Sequence, residues 1–204
     1  MTRTLLLTTA LAAGLALAGC NKTPEPPTTQ AEAGATGDVV TASANPTVGG
    51  AEMLPAKTIV ENASASPIHK QLVAAIKQAD LAETLSGTGP FTVFAPTDEA
   101  FAQIPAVQRD GWMRPAQKTV LAGILKYHVV PGKLTADDIR AKIAEGKGSA
   151  TLKTADGQDL TATISGEQIL LTSASGNKAV VTQGDIDQSN GVIHVVDAVL
   201  LPKM

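Results

Sequence analysis

Apolar residues recur at two different intervals along this 204-residue chain. From Ser66 to about Gly148 the interval is three to four, and beyond Gly148 it is two. The first is the period of one helix face, the second that of one strand face. Ser66-Pro67 reads as an N-cap and a first-turn proline, and Ile68, Leu72, Val73 and Ile76 follow as a helical stripe. Asp80 is placed to cap a short second helix through Leu81 and Leu85, stopped by Gly87. Phe91 to Ala95 is short and apolar enough for a buried strand. Thr97 or Asp98 then caps a helix carrying Ala100, Phe101 and Ile104. Pro115 opens another, with Val120, Leu121, Ile124, Leu125 and His128 on one side. Thr135 and Asp138 form a capping-box pattern, with Asp in place of the usual Glu, for a helix that Gly146 ends.

The alternating half predicts strands at Thr151 to Ala155, Asp159 to Ile164, Gln168 to Ser173, Lys178 to Gln183 and Val192 to Val196. Asp156-Gly157, Ser165-Gly166, Ser175-Gly176-Asn177 and Asn190-Gly191 separate them, and such dipeptides tolerate the positive φ of tight hairpin turns. Val192 to Val196 is apolar on both faces, which places it centrally in its sheet. A helical half followed by a meander of strands predicts an α+β domain, with helices packed on one end or face of an antiparallel sheet. That domain is expected over residues 53–202.

The residues ahead of it carry a different pattern. Asn21 to about Gly50 is rich in Pro, Thr, Ala, Gly and Ser, and Pro24, Pro26, Pro27 and Pro46 forbid a continuous helix. Such a segment buries too little apolar surface to offset its ordering entropy, so residues 20–52 are expected to be a disordered tether. Thirty flexible residues reach roughly 30 Å r.m.s.. Residues 1–19 have a basic flank at Arg3, an apolar run and small residues before a cut point, the pattern of an export signal. The run is too short to span a bilayer, which takes about 20 residues. Leu17-Ala18-Gly19-Cys20 resembles the lipobox of bacterial lipoproteins. That resemblance implies a diacylglycerol on Cys20, cleavage before it and acylation of the new amine, and two or more chains anchor stably where one does not. The competing expectation is a plain signal peptide cut near Ala18. It would leave Cys20 as a free thiol in an oxidising compartment. Asn21 follows the cysteine, where an Asp would resemble an inner-membrane retention signal, so outer-membrane placement is expected, facing the periplasm or the surface.

Composition narrows the function. Loss of residues 1–19 removes one arginine and no acid, so the formal charge of −3 becomes −4, mild and unpatterned. Nucleic acid is not an expected partner, because phosphate binding needs clustered Lys and Arg. Cys20 is the only cysteine, so stability rests on a packed core rather than a disulfide. The five aromatic residues, Phe91, Phe94, Phe101, Trp112 and Tyr127, provide few stacking platforms for bases or sugars.

Three stretches together resemble the fasciclin domain. They are Phe91-Thr92-Val93-Phe94-Ala95-Pro96-Thr97-Asp98-Glu99-Ala100-Phe101, then Leu125-Lys126-Tyr127-His128-Val129-Val130-Pro131-Gly132, and Asp185-Ile186 continued by Ser189-Asn190-Gly191-Val192-Ile193-His194-Val195-Val196-Asp197-Ala198-Val199-Leu200-Leu201-Pro202. The resemblance implies a wedge of two small β-sheets with several helices packed around it. It also implies a secreted or membrane-anchored module for adhesion, matrix contact or protein binding, without catalysis. Some relatives carry pigments in an apolar groove, so a carrier of an apolar small molecule is the second expectation. A hydrolase is the third.

The candidate residues are Tyr127, His128, Asp98 and His194, each with a folding role beside any role in binding. Asp98 is positioned to satisfy N–H groups of the helix it begins. Tyr127 and His128 are placed to bond backbone where their helix ends, and the Tyr-His pair is tied to integrin adhesion in animal relatives. His128 and His194 stand in apolar runs, where an imidazole is usually neutral and hydrogen-bonded. His69, beside Lys70 and Gln71, is expected to be exposed. No Gly-x-Ser-x-Gly elbow and no His-Glu-x-x-His helix occurs, so a nucleophilic serine and a zinc site both lack support. Gly146-Lys147-Gly148-Ser149 lacks the upstream Gly of a phosphate loop, and the acidic pairs Asp137-Asp138 and Asp185 with Asp187 are read as solvated or capping. Neither a metal nor a cofactor is expected.

Overall fold

The computed structural model describes residues 45–203. The leader 1–19, Cys20 and most of the expected tether lie outside the described residues. The tether was expected to run to residue 52, but its last residues are part of the fold. They form a hairpin of β1 (Thr47–Val48) and β2 (Ala51–Glu52). Val48 is buried there, and the amide of Met53 donates to Pro46 O at 2.9 Å.

The helical half holds α1 (Ile59–Ala65), α2 (Lys70–Gln78) and α3 (Ala82–Ser86), then β3 (Phe91–Pro96), α4 (Asp98–Ala102) and α5 (Ala106–Trp112). A 3-10 turn at Pro115–Gln117 leads into α6 (Lys118–Tyr127), followed by β4 (Val129–Pro131) and α7 (Ala136–Glu145). Several expected caps prove to be other things. Ser66 ends α1 instead of starting α2, because an earlier capping box, Thr58 with Glu61, has already opened a helix. Asp80 does not cap α3; its backbone is left-handed (φ 53°) and its carboxylate pairs with Lys118. Thr97 does cap α4, accepting from the amide of Ala100 at 3.2 Å, and the Thr135/Asp138 box opens α7 as expected. The weakly patterned α1 and α5 were not foreseen.

The strands after α7 are β5 (Ser149–Lys153), β6 (Asp159–Ser165), β7 (Gln168–Thr172), β8 (Lys178–Gln188) and β9 (Gly191–Val196). They join β3 and β4 in one seven-stranded ladder ordered β4-β3-β9-β8-β7-β6-β5. The two small sheets of the expected wedge share β8. Its first residues, Lys178 to Val180, pair with β7, and from Val181 onward it pairs with β9. Two register shifts between Val181 and Ile186 accompany the change of partner. Bulges of this kind bend a strand and let it serve two sheets. The ladder is not wholly antiparallel as expected. β3 and β9 run parallel, Phe91 opposite Gly191 through Pro96 opposite Val196.

Each part of the ladder has its own core. Val93, Ala95, Ile193 and Val195 pack with the buried faces of α1, α2 and α6. Phe94 and Val196 point the other way, into a second cluster with Ile139 and Ile143 of α7 and Leu152, Leu160, Ala162, Ile169 and Leu171. All six residues of β9 are buried, which accounts for a run apolar on both faces between two paired neighbours.

Candidate functional site

The three stretches that carry the resemblance become neighbours in space. β4 and β9 flank β3 on its two edges. Phe94 lies at their centre: its amide donates to His128 O at 2.9 Å, and its ring stacks on His194 with centroids 5.6 Å apart.

Tyr127 ends α6 with its ring fully buried. Its hydroxyl donates to Asp159 O and accepts from the amide of Ala174, both at 2.8 Å, tying α6 to the strands of the second core. Burial pushes this phenol above its ordinary pKa. His128 caps α6 from within. Its Nδ1–H donates to Ile124 O at 2.8 Å, and Nε2 accepts from the amide of Leu200 at 3.0 Å. Those two partners require the neutral imidazole with its proton on Nδ1. His194 is neutral for the same kind of reason. Its Nε2–H donates to Leu134 O at 2.8 Å, and Nδ1 faces the amide of Asp185 at 3.4 Å.

Asp98 stands apart from these three. It begins α4, but Oδ1 accepts from the amide of Gln71 at 2.8 Å, in the first turn of α2. The expectation that it serves its own helix is therefore corrected: Thr97 does that, and Asp98 caps a helix 27 residues earlier in the chain. A carboxylate at that end also meets the positive pole of the α2 dipole. His69 corrects a second expectation, being only 3% exposed, with Nδ1 at 2.9 Å from Ser66 Oγ. Chain entry into α2 folds the ring inward between α1 and α4, a placement invisible in its polar sequence neighbours.

Burial lowers the pKa of all three imidazoles. For His128 the value falls to about 4, because desolvation outweighs its bond to Ile124 O. His194 and His69 shift down for the same main reason, partly offset by the Leu134 bond and by the charge of Asp98 respectively. The unfolded chain then takes up protons near pH 6.5 that the folded chain refuses. Stability is complete above pH 6.5 and declines as the pH falls toward 4. Between pH 7.5 and pH 5, His128 alone removes about 2 kcal/mol, and the other two add to it. Asp138 and Glu61, lowered by their capping threonines, push the same way at still lower pH. Urea denaturation across this range should show the decline, and a flat profile from pH 7.5 to 5 would contradict the buried, neutral rings.

Sequence reasoning missed a buried amide network. Asn190 Oδ1 accepts from the amide of Ile59 at 3.0 Å, and Nδ2 donates to Leu85 O at 2.7 Å. Asn62 bonds both polar groups of Leu54 and also Gln188. Together these side chains fasten α1 and α3 to the β8–β9 turn. Asn190-Gly191 was legible only as a turn, and nothing in the sequence singled out Asn62.

Among the described residues the surface carries several open clefts and smaller apolar hollows. One cleft, about 580 Å³, is open and of mixed polar and apolar character, bordered by Thr58, Ser86 to Pro90, Lys133 and Gln188 to Gly191. An apolar pocket of about 210 Å³ lies between α3, β3 and α6, and one of about 70 Å³ beside Trp112. Among the described residues no three His, Cys, Asp or Glu side chains cluster closely enough to hold a metal, and no helix is long and apolar enough to cross a membrane.

Comparison with known proteins agrees with this geometry. The chain is 46% identical over 151 residues to Protein sll1483 of Synechocystis, covering 73% of this chain and 76% of that one. It is 30% identical over 170 residues to the cell surface glycolipoprotein MPB83 of Mycobacterium bovis, with 79% and 68% covered. It is 37% identical to the transforming growth factor-beta-induced protein ig-h3 of Sus scrofa, covering 72% of this chain but only 20% of that larger protein. Among solved structures, a domain pair from the insect cell adhesion molecule Fasciclin I shares the fold, with a TM-score of 0.63 at 21% identity over 71% of this chain and 51% of the other. The family model for the Fasciclin domain matches residues 67–202, spanning all three motif strands, and the chain belongs to that family of cell-adhesion-type modules.

Proposed function

We propose that this protein is a non-catalytic adhesion or protein-interaction module, held by lipid on Cys20 to a bacterial cell envelope. The observation that carries the reading is how the motif side chains are used. Tyr127, His128 and His194 are sealed in the interior, with their polar atoms bonded to backbone. None of the three reaches solvent to bind or activate a substrate, so the motif supports a scaffold whose surface meets its partner. The partner is a protein or matrix component, and the open cleft beside Lys133 and Asn190, with its mixed polar and apolar lining, is a concavity suited to a macromolecular surface. The integrin role of the Tyr-His pair in animal relatives is not transferred, because both side chains are internal here.

The lipobox Leu17-Ala18-Gly19-Cys20 supports the anchor, and similarity to a mycobacterial surface glycolipoprotein supports an envelope location. Asn21 favours the outer membrane in a source that has one. Cells grown with labelled palmitate should yield labelled wild-type protein and unlabelled Cys20→Ser protein. Label retained by the variant would remove the anchor. A proximity-labelling enzyme fused after Met204 should mark envelope proteins, and marking of cytosolic proteins instead would remove the location.

A further inference from the structure

We infer that the pocket between α3, β3 and α6 binds a small anionic amphiphile, its alkyl tail inside and its carboxylate on Lys126. The pocket lies at the seam where the two ends of the ladder meet. There the amide of Ala155, just after β5, donates to Val129 O of β4 at 2.7 Å. Leu81, Leu85, Phe91 and Val129 give it apolar walls, and Lys126 and Ala155 stand at its exposed rim. Apolar walls around a void forgo dispersion contacts that an alkyl ligand restores.

Charge and size define the occupant. No described carboxylate lies within ion-pair distance of Lys126, so its ammonium is available at the rim. An apolar pocket with one unpaired cation at its mouth favours a monoanion over a neutral or cationic amphiphile. The volume is about 210 Å³. With water's share of liquid volume, roughly 30 Å³, as the measure of one group, it takes a tail of about seven carbons. Longer tails emerge past Ala155 into water, and an extended polyene pigment does not fit. Inorganic anions lack the tail and gain nothing from the walls. This binding is independent of the adhesion reading.

Titration calorimetry on the full chain carrying Cys20→Ser, in detergent-free buffer so that no acyl group competes, tests the site. Hexanoate, octanoate, decanoate and 1-octanol are the probes, the carboxylates below their micelle concentrations and the alcohol below its solubility. Affinity should rise roughly fourfold per methylene as far as octanoate, then level off at decanoate. Octanol should bind about fivefold more weakly than octanoate, the scale of one rim ion pair. Lys126→Gln should reduce octanoate to the octanol level, and Ala155→Phe should abolish binding of both; neither exposed change should alter the melting temperature. Equal affinity for octanoate and octanol would overturn the anion site. Affinity still climbing at the same rate at decanoate would mean adsorption to the surface, and no heat with any probe would mean that the pocket is a packing defect or receives a partner's side chain. Each of these results overturns the proposal while leaving palmitate labelling of Cys20, and with it the adhesion reading, untouched.

Discussion

His128→Ala is expected to lower the unfolding free energy by about 4 kcal/mol. The change removes a ring that is fully enclosed beneath the C-terminal segment. Two losses combine. The Leu200 amide, in a residue with no exposure, loses its acceptor Nε2, and Ile124 O loses the Nδ1 donor. A buried donor left without a partner costs about 1–3 kcal/mol. The vacated ring also leaves a cavity in the interior, and large-to-alanine changes of this kind cost about 2–5 kcal/mol. Urea denaturation at pH 7.5 measures the sum. Repeating it at pH 5 supplies a signature that a purely steric role would not: the gap between wild type and variant should narrow by about 2 kcal/mol, because the variant no longer has this imidazole to keep neutral. A loss below about 1 kcal/mol at pH 7.5 would show that the ring is not held as described.

Gly191→Ala is expected to cost at least about 3 kcal/mol for a different reason. Gly191 begins β9 directly opposite Phe91 in the parallel pair. A Cβ there would lie 1.9 Å from Phe91 O and 2.8 Å from its carbonyl carbon, and the residue's φ of +156° lies at the margin of what L residues adopt. The obstacle is backbone, not the end of a flexible side chain, so β3 and β9 would have to part where both cores depend on them. Gly176→Ala makes the control. Its φ is +90°, but a Cβ there meets nothing within 4 Å, so only backbone strain, about 1 kcal/mol, is added. For a domain of this size the Gly191 variant should melt about 10 °C lower, well below the Gly176 variant. Equal melting temperatures would deny the close approach of the two strands.

The contrast between those glycines shows where reading the chain stops. Gly176 and Gly191 both stand in dipeptides that announce a turn. What separates them is β3, some hundred residues away in sequence, which no local pattern assigns as the partner of β9. The same limit explains the parallel pairing, since period two identifies a strand but not its neighbour or direction. It explains Asp98 as well. An acid at a helix start is a capping signal, yet which helix it caps depended on α2 lying alongside. Ser66-Pro67 misled because a Ser before a Pro resembles a helix start even where it closes the preceding helix. His69 misled because Lys70 and Gln71 suggested water, whereas the turn between α1 and α2 aims the imidazole inward.

The sequence by itself determined the two periodicities and therefore the α+β class, the Thr135 cap, the doubly apolar β9 and the family resemblance of the three motif stretches. These are local properties, set by side-chain spacing and backbone preference within a few residues. Tertiary structure alone decided the order β4-β3-β9-β8, the sharing of β8 between two cores, which backbone groups the histidines bond, the burial of His69 and the pocket at the Val129–Ala155 seam. Each of these depends on contacts between residues far apart in the chain, where burial and hydrogen-bond partners are assigned only once the whole domain has packed.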